Sequence, residues 1–304
     1  MIKRTLYFGN RSVLTLSSNN LVISQPSEDD PNKLVRRATI PTEDIGVVIL
    51  DNQEITISLA TIQTLLENNT ALISCDAEHL PNGLMLNLYD HQQEQRHLIK
   101  QLSASEALRK RVWKQTVESK IENQIRYLNS ELTTNQNELI TWIVKLKSEN
   151  YKDCNIGADI HYYSKLEDII TGLNPNNNNC APSKLLNFGY ALLRALAARA
   201  LVAAGLHPMY GIESENRFTH YALADDIMQP YIPFIDRIAV KIVRNNPNFT
   251  VLNSDIKREL LSIPLEEVEI NGVKTPLIVA MRQTATSLTQ CLEGKEKKII
   301  YPSL

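Results

Sequence analysis

The dominant hydrophobic period of this chain shifts near residue 85, and that shift limits the fold more than any other feature. Ahead of it, apolar residues fall in short runs broken by turn formers. Thr5 to Leu16 and Leu21 to Ser24 read as two short strands joined by a turn at Ser17-Ser18-Asn19-Asn20. Ala38-Thr39-Ile40-Pro41 follows, Gly46 to Leu50 and Thr70 to Cys75 read as buried strands, and Glu54 to Ser58 is a short alternating piece. Ser58 to Asn68 carries Leu59, Ile62, Leu65 and Leu66 at helical spacing, which predicts a helix inside this β-rich part. Pro81-Asn82-Gly83 marks a turn.

From about residue 91 the strand signals fade. His91 to Gln101, Ser105 to Glu131 and Asn137 to Lys147 all read as helices. Ser105, with Leu108 after it and Ser103 before it, and with Glu106 three residues beyond Ser103, offers a capping box. Asn174 to Asn179 is an Asn-rich loop. Pro182-Ser183 opens and Gly205 closes a helix that is apolar on most sides, so it belongs in a core. Arg194 and Arg199 interrupt it, and charges there are costly unless they snorkel, pair internally, or face a phosphate or a catalytic carboxylate. Asn271-Gly272 predicts a small hairpin. The fold class is α+β, with residues 1–85 β-rich and residues 86–304 mostly α-helical.

A length of 304 residues suits two domains or one large one, and 43% hydrophobic residues can supply a core. No run approaches the ~18 uncharged apolar residues of a membrane span, and the charged start shows no signal peptide. The four cysteines include no CxxC pair, which argues against zinc and against a disulfide framework. A reducing cytoplasm is the expected compartment. The net charge of −2 is unevenly placed, because residues 96–126 hold eight Lys/Arg against three Glu. Arg109, Lys110, Arg111, Lys114 and Lys120 are the candidates for a phosphate-binding stripe; the alternative is a solvated helix face with ordinary ion pairs.

The second half carries more specific signals. Leu186-Asn187-Phe188-Gly189-Tyr190-Ala191-Leu192-Leu193-Arg194 runs through an Ala/Arg-rich helix into Ala204-Gly205-Leu206-His207-Pro208. Gly211-Ile212, Asn216-Arg217-Phe218 and the segment Leu223-Ala224-Asp225-Asp226-Ile227-Met228-Gln229-Pro230 through Asp236 follow. With Gln115, Asn123-Gln124 and Tyr162-Tyr163, this resembles the CRISPR-associated integrase, the first of the Cas proteins, in the form that accompanies type II systems. The resemblance runs over nearly the whole chain. It implies an N-terminal β-sandwich that forms a homodimer interface and a helical C-terminal domain that holds the active site. Dimers of that kind flank a dimer of the small second Cas protein, hold a prespacer duplex and join its 3′ ends to the repeat by metal-assisted transesterification. The metal is held by a Glu on one helix, a His in a loop, and a Glu or Asp starting the next helix.

By the same resemblance, those three positions are Asn155, Ser214 and Gln229 here, and the Arg that follows in the last motif is Ile232. An amide, a hydroxyl and an amide supply no negative charge, whereas a hard divalent cation wants anionic oxygen. No cofactor is therefore expected. The implied reading is a DNA-binding protein of spacer acquisition that has lost catalysis and serves as a non-catalytic or structural subunit. Its expected partners are prespacer or repeat-like duplex DNA, a second copy of itself, the second Cas protein and an active paralogue, with no membrane. Arg194 joins the DNA-contact candidates. The alternative is an active endonuclease or integrase using Mg²⁺ or Mn²⁺ on relocated ligands drawn from Asp225, Asp226 and His220. A third reading is a structural or regulatory protein that no longer touches DNA.

Overall fold

Ser18 and Asn19 both adopt positive φ, 47° and 59°, the geometry of the turn that matches strand twist. They join β2 (Val13–Ser17) to β3 (Asn20–Pro26), with Ser17 opposite Asn20. A computed structural model describes residues 3–87, 93–132, 137–148, 151–175, 180–212, 220–247 and 250–304. The chain divides into two units, residues 1–90 and 91–304.

In the first unit, β3 also pairs antiparallel with β4 (Leu34–Pro41), and the short β6 (Thr56–Ile57) pairs parallel with β2, giving one four-stranded sheet. The other sheet lines up β1 (Arg4–Phe8), β5 (Ile45–Leu50), β7 (Ala71–Cys75) and β8 (Pro81–Met85). Its first three strands are parallel, which is why the central β5 is a continuous apolar run rather than an alternating one. The segment expected to be one strand over residues 5–16 is two, because the chain leaves one sheet after Phe8 and enters the other at Val13. Phe8, Leu14, Leu21, Ile23, Ile45, Val48, Leu65 and Leu72 form one apolar cluster from both sheets and α1 (Leu59–Glu67), a β-sandwich-like arrangement. Ser58 caps α1 by accepting the Thr61 N–H, whereas Leu59, expected on its buried face, is 79% exposed.

The turn expected at Pro81-Asn82-Gly83 is strand β8 instead. Asp76 makes the turn earlier: its Oδ1 accepts the N–H of Glu78 and of Leu80, both at 2.9 Å, and His79 takes φ 63°. Pro81 is tolerated because β8 is an edge strand.

The second unit holds α2 (Gln93–Leu102), α3 (Glu106–Glu131), α4 (Asn137–Ser148), α5 (Tyr151–Ile169), α6 (Ala181–Ala203), α7 (Ala222–Met228), α8 (Ile232–Asn245), α9 (Ser254–Leu260) and α10 (Leu277–Leu292). Ser105 caps α3 by accepting the Leu108 N–H at 3.2 Å. The expected Ser103–Glu106 box does not form; Ser103 donates to the Ile99 carbonyl, and Glu106 pairs with Lys110. Helix α6 is the core helix, packed against α7, α8 and α10. It is long and apolar enough to span a membrane by length and composition, but most of it is buried in this unit. Burial lowers the Arg199 guanidinium to about 10, and the nearby Arg282 charge adds to that. The predicted hairpin joins β9 (Glu267–Ile270) to β10 (Val273–Pro276), with Asn271 and Gly272 at φ 52° and 73°.

Residues 297–304 run along α3 as a strap that the sequence did not announce. Gln115, Thr116 and Asn123 hold it, through the Lys297 carbonyl, the Tyr301 hydroxyl and the Pro302 carbonyl respectively.

Candidate functional site

Residues one helical turn apart share a face. On α3 that pairs Lys120 with Gln124, and on α5 it pairs Asn155 with Asp159. The two pairs meet. Lys120 is only 1% exposed, and its Nζ donates to Asn155 Oδ1 at 2.5 Å and to Asp159 Oδ1 at 2.7 Å. Gln124 Nε2 donates to the same Asp159 oxygen at 3.0 Å. One cation faces one carboxylate and two neutral amides, so the cluster is balanced without any added charge.

Further along α5, Tyr162 donates to Asp236 Oδ2 at 2.6 Å, and Tyr190 of α6 donates to Asp236 Oδ1 at 2.5 Å. Asp236 is fully buried on α8. Burial pushes its carboxyl up to about 7, with Asp159 adding to the shift and the two tyrosine hydroxyls opposing it. The unfolded carboxyl titrates near ~3.9, so the folded chain binds the extra proton between those values and its stability falls as pH rises through that window. Replacing Asp236 with Asn is expected to remove this slope. Relative to the variant, the wild type should lose on the order of 2–3 kcal/mol between pH 5 and 8 in urea denaturation; parallel pH profiles would contradict this.

At α7, Asp226 is fully buried and its Oδ2 accepts the Ile212 N–H at 2.6 Å. A Cβ on Gly211 would stand 2.9 Å from that oxygen and 3.1 Å from Ala222 Cβ, so glycine is what lets the Gly211-Ile212 backbone come this close. Asp225 Oδ1 accepts from Arg194 Nε at 2.5 Å. Arg194, a candidate phosphate contact, thus has an internal ion pair, one of the alternatives its place in the core helix left open. Gln229 turns its amide back on its own helix, with Nε2 donating to the Asp225 carbonyl at 3.1 Å. His220 is exposed, and among the described residues no group of three His, Cys, Asp or Glu stands close enough to hold a metal ion. Asp225, Asp226 and His220 are therefore not gathered into one. Ser214 lies outside the described residues, as do Glu213 and Glu215 on either side of it.

The family model described as CRISPR associated protein Cas1 matches residues 6–250. The chain belongs to the Cas1 family. A CRISPR-associated endonuclease Cas1 from Neisseria meningitidis serogroup C (strain 8013) is 26% identical over 301 residues, covering 98% of this chain and 95% of that protein. A chain of a solved Cas6-RT-Cas1–Cas2 complex has a TM-score of 0.77 at 19% identity, covering 99% of this chain but 36% of that longer chain. A CAS1 protein from Thermotoga maritima has a TM-score of 0.75 at 15% identity, covering 96% of this chain and 98% of that one. At these identities the structural likenesses speak for the fold alone.

The positions that the family resemblance assigns to a metal are Asn155, Ser214 and Gln229. The two described positions do not fit a divalent cation: the Asn155 oxygen is taken by an ammonium, and Gln229 presents a neutral amide whose nitrogen is bound to backbone. The basic stripe needs one correction. Lys120 was expected on it, but it is buried because its ammonium completes the Asn155–Asp159 cluster. Lys110 and Arg111 are exposed, and Arg109 and Lys114 half-buried. Asp159, Gln124 and Asp236 were missed as site residues. The one-turn spacing of Lys120-Gln124 and Asn155-Asp159 was a signal for Gln124 and Asp159, and no spacing pointed to Asp236.

Proposed function

We propose that this chain is a non-catalytic or structural DNA-binding subunit of CRISPR adaptation. The observation that carries this reading is the buried Lys120 ammonium on the Asn155 oxygen, where the family resemblance implies a metal-binding glutamate. A cation supplied by the chain satisfies the oxygen that an active member would offer to a metal. Neutral Gln229, turned onto its own helix, supports the same reading. The proposed partners are prespacer or repeat-like duplex DNA, the second adaptation protein Cas2, and an active paralogue that supplies the chemistry, all in the cytoplasm. The β-rich unit is proposed to form a homodimer, for which exposed Leu59 and Leu34 offer apolar surface.

Phosphate neutralisation releases counterions, so affinity for a duplex should fall with salt. Arg109, Lys110, Arg111 and Lys114 predict a slope of log K against log salt steeper than roughly −3, or about a hundredfold loss between 50 and 200 mM salt. Reversing the charges of Lys110, Arg111 and Lys114 together should reduce that slope. Fluorescence anisotropy with a labelled duplex decides it. Absence of binding at 50 mM salt would remove the DNA role.

A further inference from the structure

We propose that Lys297 and Lys298, held against α3 by Gln115, extend the α3 basic stripe into one composite surface for the phosphate backbone of duplex DNA. This rests on the DNA-binding reading above and names a part of that surface far from the stripe in sequence. Gln115 lies one turn beyond Arg111. Its Nε2 donates to the Lys297 carbonyl at 3.1 Å, and its Oε1 accepts the Ile299 N–H at 3.1 Å. This two-point latch acts on the strap backbone, so it fixes where the neighbouring side chains emerge. Below it, Thr116 Oγ1 meets the Tyr301 hydroxyl at 2.8 Å, and Asn123 Nδ2 donates to the Pro302 carbonyl at 3.0 Å. The anchors thus span residues 115 to 123, about 12 Å of helix. Ile299 and Pro302 face inward while Lys297 and Lys298 stay exposed.

The charge pattern suits a polyanion. Lys110 is paired with Glu106 and Lys295 with Glu293, and Glu296 adds one negative charge on the strap. Among the described residues no ion pair within 4 Å involves Arg111, Lys297 or Lys298, and Arg109 stands close enough to Glu106 to help lower its carboxyl. These cations on two chain segments tied together by one glutamine are what a phosphate track would neutralise.

The test uses the full chain and a labelled duplex, titrated across salt by anisotropy. Lys297→Gln/Lys298→Gln should reduce the salt slope by about two. The control Lys241→Gln/Arg258→Gln makes the same charge change on α8 and α9, and should leave the slope as in the wild type. Gln115→Ala changes no charge, yet should weaken binding severalfold by releasing the strap. The composite surface is overturned if Lys297→Gln/Lys298→Gln binds with the wild-type slope while Arg111→Gln/Lys114→Gln lowers it; the DNA-binding reading then survives. It is also overturned if polyglutamate displaces the duplex as well as unlabelled DNA does at equal charge, which would mark an acidic-protein site. If the wild type binds no duplex at 50 mM salt, both readings fall together.

Discussion

Lys120→Met should destabilise the helical unit by about 2–4 kcal/mol in urea denaturation. Methionine keeps most of the buried stem, so the loss comes mainly from the ammonium. Without it, the Asn155 oxygen loses its 2.5 Å donor and Asp159 keeps only the Gln124 bond. Asp159 is a third exposed, so water softens the penalty, which keeps the figure below that of a wholly buried broken pair. The double variant Lys120→Met/Asp159→Asn removes both charges and should recover at least about 1 kcal/mol of the loss, the coupling expected of groups in one network. A single variant within ~0.5 kcal/mol of the wild type would mean the cluster does not hold α3 and α5 together.

The second large effect concerns metal. Asn155→Glu, Ser214→His and Gln229→Glu together bring two carboxylates and an imidazole to the positions the family resemblance assigns. That donor set carries about two negative charges and suits Mn²⁺ or Mg²⁺. The triple variant should bind Mn²⁺ in calorimetry, and at a hundred times its Kd gain about 2.7 kcal/mol of stability. The wild type should show neither. Lys120 will contend with the ion for the new residue 155 carboxylate, and either carboxylate substitution alone supplies only one anionic ligand, so each should bind more weakly than the triple. A triple variant without heat of binding or added stability would mean the positions are misplaced.

The sequence was a good guide where one local force acts alone. The β2–β3 and β9–β10 hairpins were legible because Ser18-Asn19 and Asn271-Gly272 take left-handed backbone that few residues tolerate. The start of α3 was legible because Ser105 is a strong cap, and α6 because its apolar surface has nowhere to go but inward. Reading failed where tertiary partners decide. Pro81-Asn82-Gly83 has turn composition but lies in an edge strand, since Asp76 and His79 complete the turn first. Lys120 looked like its exposed neighbours on the basic stripe until the facing helix supplied Asn155 and Asp159, about 35 residues away in sequence. The strap was invisible for the same reason: Gln115 and Lys297 are separated by most of the helical unit, and nothing local ties them.

On the proposed reading the chain keeps the Cas1 fold and a DNA surface without the metal chemistry. Incubating the purified full chain with branched duplex DNA in Mn²⁺ or Mg²⁺ tests it most directly, with EDTA and an Asp226→Ala variant alongside. The expected result is binding without any metal-dependent cleaved or joined product. Product that appears only with the metal, and is lost in Asp226→Ala, would overturn this reading and assign the chain a working site built on other ligands.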